Sequence, residues 1–546
     1  MRSTFAISSF CALFLASGCA GPAPSGAFQA RAAQYGAQED VGLTRFMLDD
    51  FSGLSMDSLQ TFAVPWKVTS TALLLHRNPE GASFDERGAA RLMERYGFVV
   101  PDRIGNWDPR TPAPQLTRPA GIVTGMLQLG PGMELEVANN GCATCHAGRT
   151  FDAAGMPTRE VWMGLPNGSI DFEQYSRDVF AALSAVAAGG DEEFVAAVGR
   201  AFPQVSEAER RAIRSVVLPR VREIVKRRAP VGNFVSFSGG QPGLTNGVAT
   251  LKMQLGVLDE REAPKETIIV SIPSLAYRDM KTSLLWDGVY APRGAARYAK
   301  VTEAELTTAH LDRVGAIPSV FTTGTLGIPI HVGTKNVGKI REVFRSTARV
   351  RQPPFPGPVD QAKADRGEQL FAAKCQGCHG KYDRSTNPAK LVEYPNHLST
   401  QATMGTDPRR WEAAAGIVLE AFARSEFGEY VEAKTSGGYV GPILTSTWAS
   451  APYLHNGSIP TLWHFFHPEA RPARFLVGGH KLDYAKMGLA LDPADPTRYP
   501  AGYEPTSRPV VYDTAQSGHD SHGHEKQLAG LTEEEKDALM EYLKLL

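Results

Sequence analysis

Cys142-Ala143-Thr144-Cys145-His146 and Cys375-Gln376-Gly377-Cys378-His379 are one pattern, Cys-x-x-Cys-His, written twice in 546 residues. Two thiols at this spacing reach the two vinyl groups of one haem as thioethers, and the histidine that follows ligates the iron. Four of the six cysteines fall in these two pentapeptides. A structural zinc site would cluster four Cys/His ligands, and a redox dithiol needs no histidine after its second cysteine. The pattern predicts two covalently bound haems c. Cys142, Cys145, Cys375 and Cys378 are the attachment points, and His146 and His379 are the proximal iron ligands.

The remaining cysteines belong to the N-terminus. Arg2 precedes an apolar run, Phe5 to Leu15, that contains Cys11 and closes in Ala16-Ser17-Gly18-Cys19-Ala20. The run is too short for a permanent membrane span and reads as a signal peptide over residues 1–20. Cys19 resembles the lipid-accepting cysteine of a lipoprotein, although Ala16 stands where a branched residue is usual. Cleavage just beyond it by the ordinary signal peptidase is the alternative. Both routes lead to the periplasm, outer membrane or cell surface, where c-type haem is attached. Contact with a membrane is then expected only through a lipid on Cys19. No cysteine pair is left for a structural disulfide.

Apolar content of 42% and charged content of 21% suit a folded, multi-domain chain, and a net charge of −1 argues against nucleic acid as a partner. Residues 21–36, small and Pro-rich, read as a tether. A first haem module follows over 37–350, with a helical insert at 171–228 that opens its last helix with Ser206 and Glu209 as a capping box. Clustered prolines make 351–358 a linker, and 359–546 the C-terminal cytochrome c module. The expected fold class is mainly α: two cytochrome c-type haem modules packed together, with an N-terminal extension and the helical insert. The insert sits where a cover over the first iron could be built.

An internal repeat relates the modules. Pro273-Ser274-Leu275 is followed, thirteen residues after its proline, by Trp286-Asp287-Gly288. Pro442-Ile443-Leu444 is followed at the same offset by His455-Asn456-Gly457.

Leu285-Trp286-Asp287-Gly288 and the stretch Ala451 to Leu462 resemble the two inter-domain motifs of bacterial di-haem cytochrome c peroxidases and their relatives. In the C-terminal half, the turn Leu454–Leu462, the segment Arg471–Gly478 and Gly518-His519-Asp520 are closer to the rubber-oxygenase branch. The resemblance covers roughly 141–165 and 269–546. It implies an oxidoreductase acting on peroxide or O2 at the N-terminal haem, with the C-terminal haem as electron store and an external electron donor or organic substrate as partner. It makes Trp286 the residue between the haems. It places Glu303 and Glu305 near where related peroxidases hold a catalytic acid, although Thr302 with Glu305 is also a plain helix-capping box.

The sixth iron ligands separate an enzyme from an electron carrier. No histidine occurs between His146 and His310, so the first iron is expected to have an open face, unless Met156, Met163 or a tyrosine such as Tyr175 ligates it. For the second iron the resemblance points to His519, with His522 and His524 close by and His464, His467, His480 and Met487 as rivals. Relatives bind one calcium between the modules. Pro452 stands where a carbonyl ligand falls, but Ser450 and Ser271 replace the expected Thr and Asn, so the calcium site does not carry over in full.

Overall fold

The helix that leads into the second haem motif, Gln361–Lys374, starts where the Asp360 carboxylate accepts the Lys363 amide and ends at Cys375. The last helix, Glu533–Leu543, opens with the Thr532–Glu535 capping box. The two cross at Gly367, where a Cβ would lie 2.0 Å from the carbonyl oxygen of Ala538. Only glycine lets the backbones approach this closely. Around the crossing, Phe371, Leu539, Tyr542 and Leu543 join one apolar core with Tyr382 and Tyr394.

These features come from a computed structural model that describes residues 27–35, 40–49, 51, 64–78, 83–259, 261–265 and 267–546. The signal peptide and Cys19 lie outside the described residues. Part of the stretch read as a tether is helical: Ala27–Tyr35 forms a helix, and the Arg31 guanidinium donates to the Leu48 carbonyl at 2.8 Å. No helix among the described residues is long and apolar enough to cross a membrane.

The expectation of a mainly α fold is corrected. Helix accounts for 41% and strand for 16%, and the strands form several small sheets, so the class is mixed α/β. Most strands are two to five residues long and pair with remote segments, so the sequence holds no run of alternating residues that would mark them. Val301–Thr302 pairs with Lys390–Tyr394, and Tyr290–Pro292 pairs with Val431–Ala433. Both pairings join chain on either side of 351–358. That Pro-rich stretch is itself packed: Phe355 is buried edge-on against Trp448 and Tyr484.

The longest hairpin, Ile122–Gly130 with Met133–Asn140, delivers the chain to Gly141 and the first haem motif. At its base Gly121 has φ of +80°, and a Cβ there would sit 2.1 Å from the amide of Thr144. The insert forms helices Phe172–Ala188, Asp191–Ala201 and Glu207–Arg228, the last with a π-helical turn at Ile213–Val217. Asp171 and Ser206 cap the first and third of these by accepting amides three residues on. Insert side chains share a core with Trp66, Leu73 and Cys145.

The internal repeat is a repeat of conformation. At matching distances from Pro273 and Pro442 come a left-handed residue (Tyr277, Ser446), a short 3-10 turn (Arg278–Met280, Thr447–Ala449) and an isolated bridge (Leu284 with Tyr290, Tyr453 with Ile459). A second left-handed residue, Leu285 or Leu454, then opens the turn that Gly288 or Gly457 closes.

Candidate functional site

Each proximal histidine is held by the proline of its own repeat. His146 Nδ1 lies 3.1 Å from the Pro273 carbonyl oxygen, and His379 Nδ1 lies 2.8 Å from that of Pro442. A carbonyl only accepts, so Nδ1 carries the proton and donates, leaving each Nε2 lone pair for a metal. Burial, with the Arg278 charge adding to it, pushes His146 down to about 4, and burial also lowers His379. Both are neutral imidazoles, the ligating form. Cys142, Cys145, Cys375 and Cys378 form no disulfide.

The two sites differ on the opposite side. The ring of His524 faces that of His379, with centroids 6.3 Å apart and planes inclined by 24°. His524 holds this position on a left-handed backbone, φ +70°, with its ring against Phe465. Its buried Nδ1 has no hydrogen-bond partner. Two metal–nitrogen bonds of about 2 Å, together with the ring radii, match this spacing.

His146 instead opens on a cavity of about 220 Å3. Its walls are largely apolar, from the helices Gly247–Gln254, Pro318–Gly324 and Val337–Ala348. Among the described residues no second histidine, no methionine and no carboxylate lines it. Met163 is buried in a separate core, Met156 is exposed, and Tyr175 packs on Tyr96 and Phe98 beside the insert. No residue of 171–228 lines the cavity, so the expectation that the insert covers the first iron site is overturned. Its apolar side chains pack instead on the hairpin, at Val123, Leu127, Leu135 and Val137, and on the helix Trp66–Arg77.

Trp286 lines the same cavity as His146 and Pro442. Its indole N–H donates to the Ser271 carbonyl at 3.0 Å, and its own carbonyl accepts the Val440 amide at 2.8 Å. The tryptophan thus stands between the anchors of the two proximal histidines.

Three predicted positions lie elsewhere. His519 is buried against Tyr512, with Nδ1 on the Ser517 carbonyl and Nε2 3.3 Å from the Gln241 amide nitrogen. His524, further along the chain, is the member of that cluster that faces His379. Glu303 pairs with Lys390 at the surface, and Glu305 closes the Thr302 capping box. Neither glutamate lines the cavity. Of the rivals for the second iron, His467 stacks on Trp463 and pairs with Glu533, His464 bonds Thr461, and His480 stacks on Phe151. Ser271 and Ser450, at the calcium positions, donate to the Leu454 and Ser446 carbonyls.

Residues 438–476 match the family described as "RoxA-like, cytochrome c-like". The match takes in Pro442 and the His455-Asn456-Gly457 turn, so this C-terminal region is cytochrome c-like and related to the rubber oxygenases. Two uncharacterized proteins of Sinorhizobium fredii (strain NBRC 101917 / NGR234) are similar. The protein y4iM is 35% identical over 191 residues, covering 32% of this chain and 43% of that protein. The protein y4iJ is 26% identical over 293 residues, covering 40% of this chain and 47% of that protein. The chain spans less than half the length of either relative it matches. A cytochrome c-like region implies covalent haem c, and the His379 site fits one: two cysteines, an oriented imidazole, and a facing imidazole with an orphaned nitrogen.

Proposed function

We propose that the chain is a secreted di-haem c-type cytochrome that works as an oxidoreductase. One haem is joined to Cys142 and Cys145, the other to Cys375 and Cys378. The observation that carries this reading is the asymmetry between the sites: His379 is faced by His524, whereas His146 opens on a largely apolar cavity that no second histidine and no methionine lines among the described residues. A haem iron with one free face binds and activates O2 or peroxide, whereas one closed by two imidazoles transfers electrons.

The chain's own residues then divide the work. Pro273 and Pro442 fix the tautomer of the proximal histidines. Phe46, Leu251, Leu284 and Phe344 keep the cavity dry and favour an apolar or diatomic guest. Trp286 stands between the sites as the oxidisable side chain that shortens the electron path. Among the described residues the cavity offers no carboxylate or second imidazole to move a proton during peroxide cleavage, which favours O2 over peroxide. The N-terminal apolar run supports export to the periplasm or cell surface, with a lipid anchor if Cys19 is acylated.

The test is the absorption and EPR spectrum of the ferric protein, repeated with CO after reduction. One high-spin, CO-binding haem beside one low-spin haem is expected. Two low-spin haems that ignore CO, cyanide and peroxide would leave an electron-transfer cytochrome without catalysis.

A further inference from the structure

Two basic side chains lining the cavity have no acidic partner. Arg278 donates through Nε to the Ser274 carbonyl at 2.7 Å, and Lys281, 1% exposed, donates through Nζ to the Tyr394 hydroxyl at 2.7 Å. Among the described residues no carboxylate forms an ion pair with either, and none lines the cavity. A third basic residue there, Arg410, differs because Asp287 lies 3.6 Å away. Arg278 and Lys281 line the same cavity as His146, and the Tyr394 hydroxyl that Lys281 meets also bonds the Gly441 carbonyl, next to Pro442.

A cation withdrawn from water without a counter-charge is costly, and Lys281 is buried while Arg278 is half-buried. A site that keeps two such cations beside an otherwise apolar cavity is built for an occupant with a large apolar body and carboxylates at its edge. The repeat sharpens the point. The positions of Arg278 and Lys281 in the first copy are Thr447 and Ser450 in the second, so the charges are not required by the turn itself.

The geometry points to Arg278 and Lys281 as the carboxylate-binding pair of the cavity, holding the propionates of the haem attached at Cys142 and Cys145 and raising its reduction potential. This rests on the proposed haem at that site. Fixed positive charge favours the reduced iron, which carries one positive charge fewer, so neutralising either residue favours the ferric state.

The test uses the full-length haem-loaded protein, with attachment at Cys142 and Cys145 checked by peptide mass. Absence of haem there would defeat the proposed function rather than the charge pair. Arg278→Gln, Lys281→Gln, the charge-keeping Arg278→Lys and a surface control, Lys390→Gln, are titrated spectroelectrochemically. Each glutamine variant is expected to shift the redox equilibrium of the first haem toward ferric by at least about tenfold, ~59 mV for one electron. Arg278→Lys and Lys390→Gln should stay within about twofold of the parent, under ~20 mV on the same scale. If a glutamine variant does not accumulate, Lys281→Met, which keeps the apolar stem, is read against the same thresholds. Haem in place with potentials unmoved overturns the assignment. So does a parent potential that moves on adding butyrate while the variants do not respond, because the pair would then serve an exchangeable carboxylate.

Discussion

His524 faces His379 with ring centroids 6.3 Å apart and a 24° inclination, and no other histidine ring among the described residues stands opposite a haem-motif histidine. The cluster His519, His522 and His524 thus divides into a buried hydrogen-bonding residue, an exposed one paired with Asp520, and the one that confronts the second site.

In the proposed di-haem cytochrome, His524→Ala should convert the C-terminal haem from a low-spin to a high-spin, CO-binding form. His519→Ala should leave that spectrum unchanged and lower only stability, since it removes the contact with Tyr512. EPR of the two ferric variants checks both. A spin change in His519→Ala with none in His524→Ala would reverse the assignment.

Trp286→Phe keeps an aromatic ring in the turn but loses the indole N–H bond to Ser271 and a readily oxidised ring. Both haem spectra should persist. Electron transfer between the haems, followed after flash reduction, should slow by about tenfold, the effect of ~1.4 kcal/mol on the barrier.

Gly367→Ala places a methyl group against the Ala538 carbonyl and should destabilise the C-terminal half by about 1–3 kcal/mol. A methyl group added at Gly338, inside the helix Val337–Ala348, would meet nothing within 4 Å. Gly338→Ala should therefore be neutral or stabilising by up to ~1 kcal/mol. Denaturant titrations of the pair give the contrast.

Asp171 supplies a pH dependence. Burial raises its carboxyl from the ordinary 3.8 to about 6, against the opposing Gln174 amide bond. A raised acid favours the folded state when protonated, so its contribution is complete below pH 3.8 and is lost as pH climbs through 6. The displacement corresponds to ~3 kcal/mol at most. Asp171→Asn keeps an accepting cap and does not ionise. The variant should match the parent near pH 3.5 and exceed it in stability above pH 6.

The motif cysteines, the repeat and the helix caps were legible in the sequence, because each is a local signal with a fixed spacing. The sheets were not, since pairs such as Val301–Thr302 with Lys390–Tyr394 are settled by remote partners. Nor could spacing select His524 from its cluster. That choice depends on its left-handed backbone, which turns the ring toward His379. The job of Glu305 was written beside Thr302 as a capping signature, while the partner of Glu303, Lys390, lay far along the chain. The role imagined for the insert failed because a position in sequence order does not tell which face of a hairpin a segment will cover.

Ser271 touches both copies of the repeated turn: its carbonyl takes the Trp286 indole, its amide donates to the His455 carbonyl at 2.7 Å, and its hydroxyl donates to that of Leu454. One residue therefore clamps the two turns to each other. In the proposed di-haem cytochrome, where tunnelling rates would fall steeply with the length of the gap to be crossed, this clamp would hold that gap at a fixed length. It also shields the gap from growth elsewhere, since helices can be added upstream without lengthening the jump.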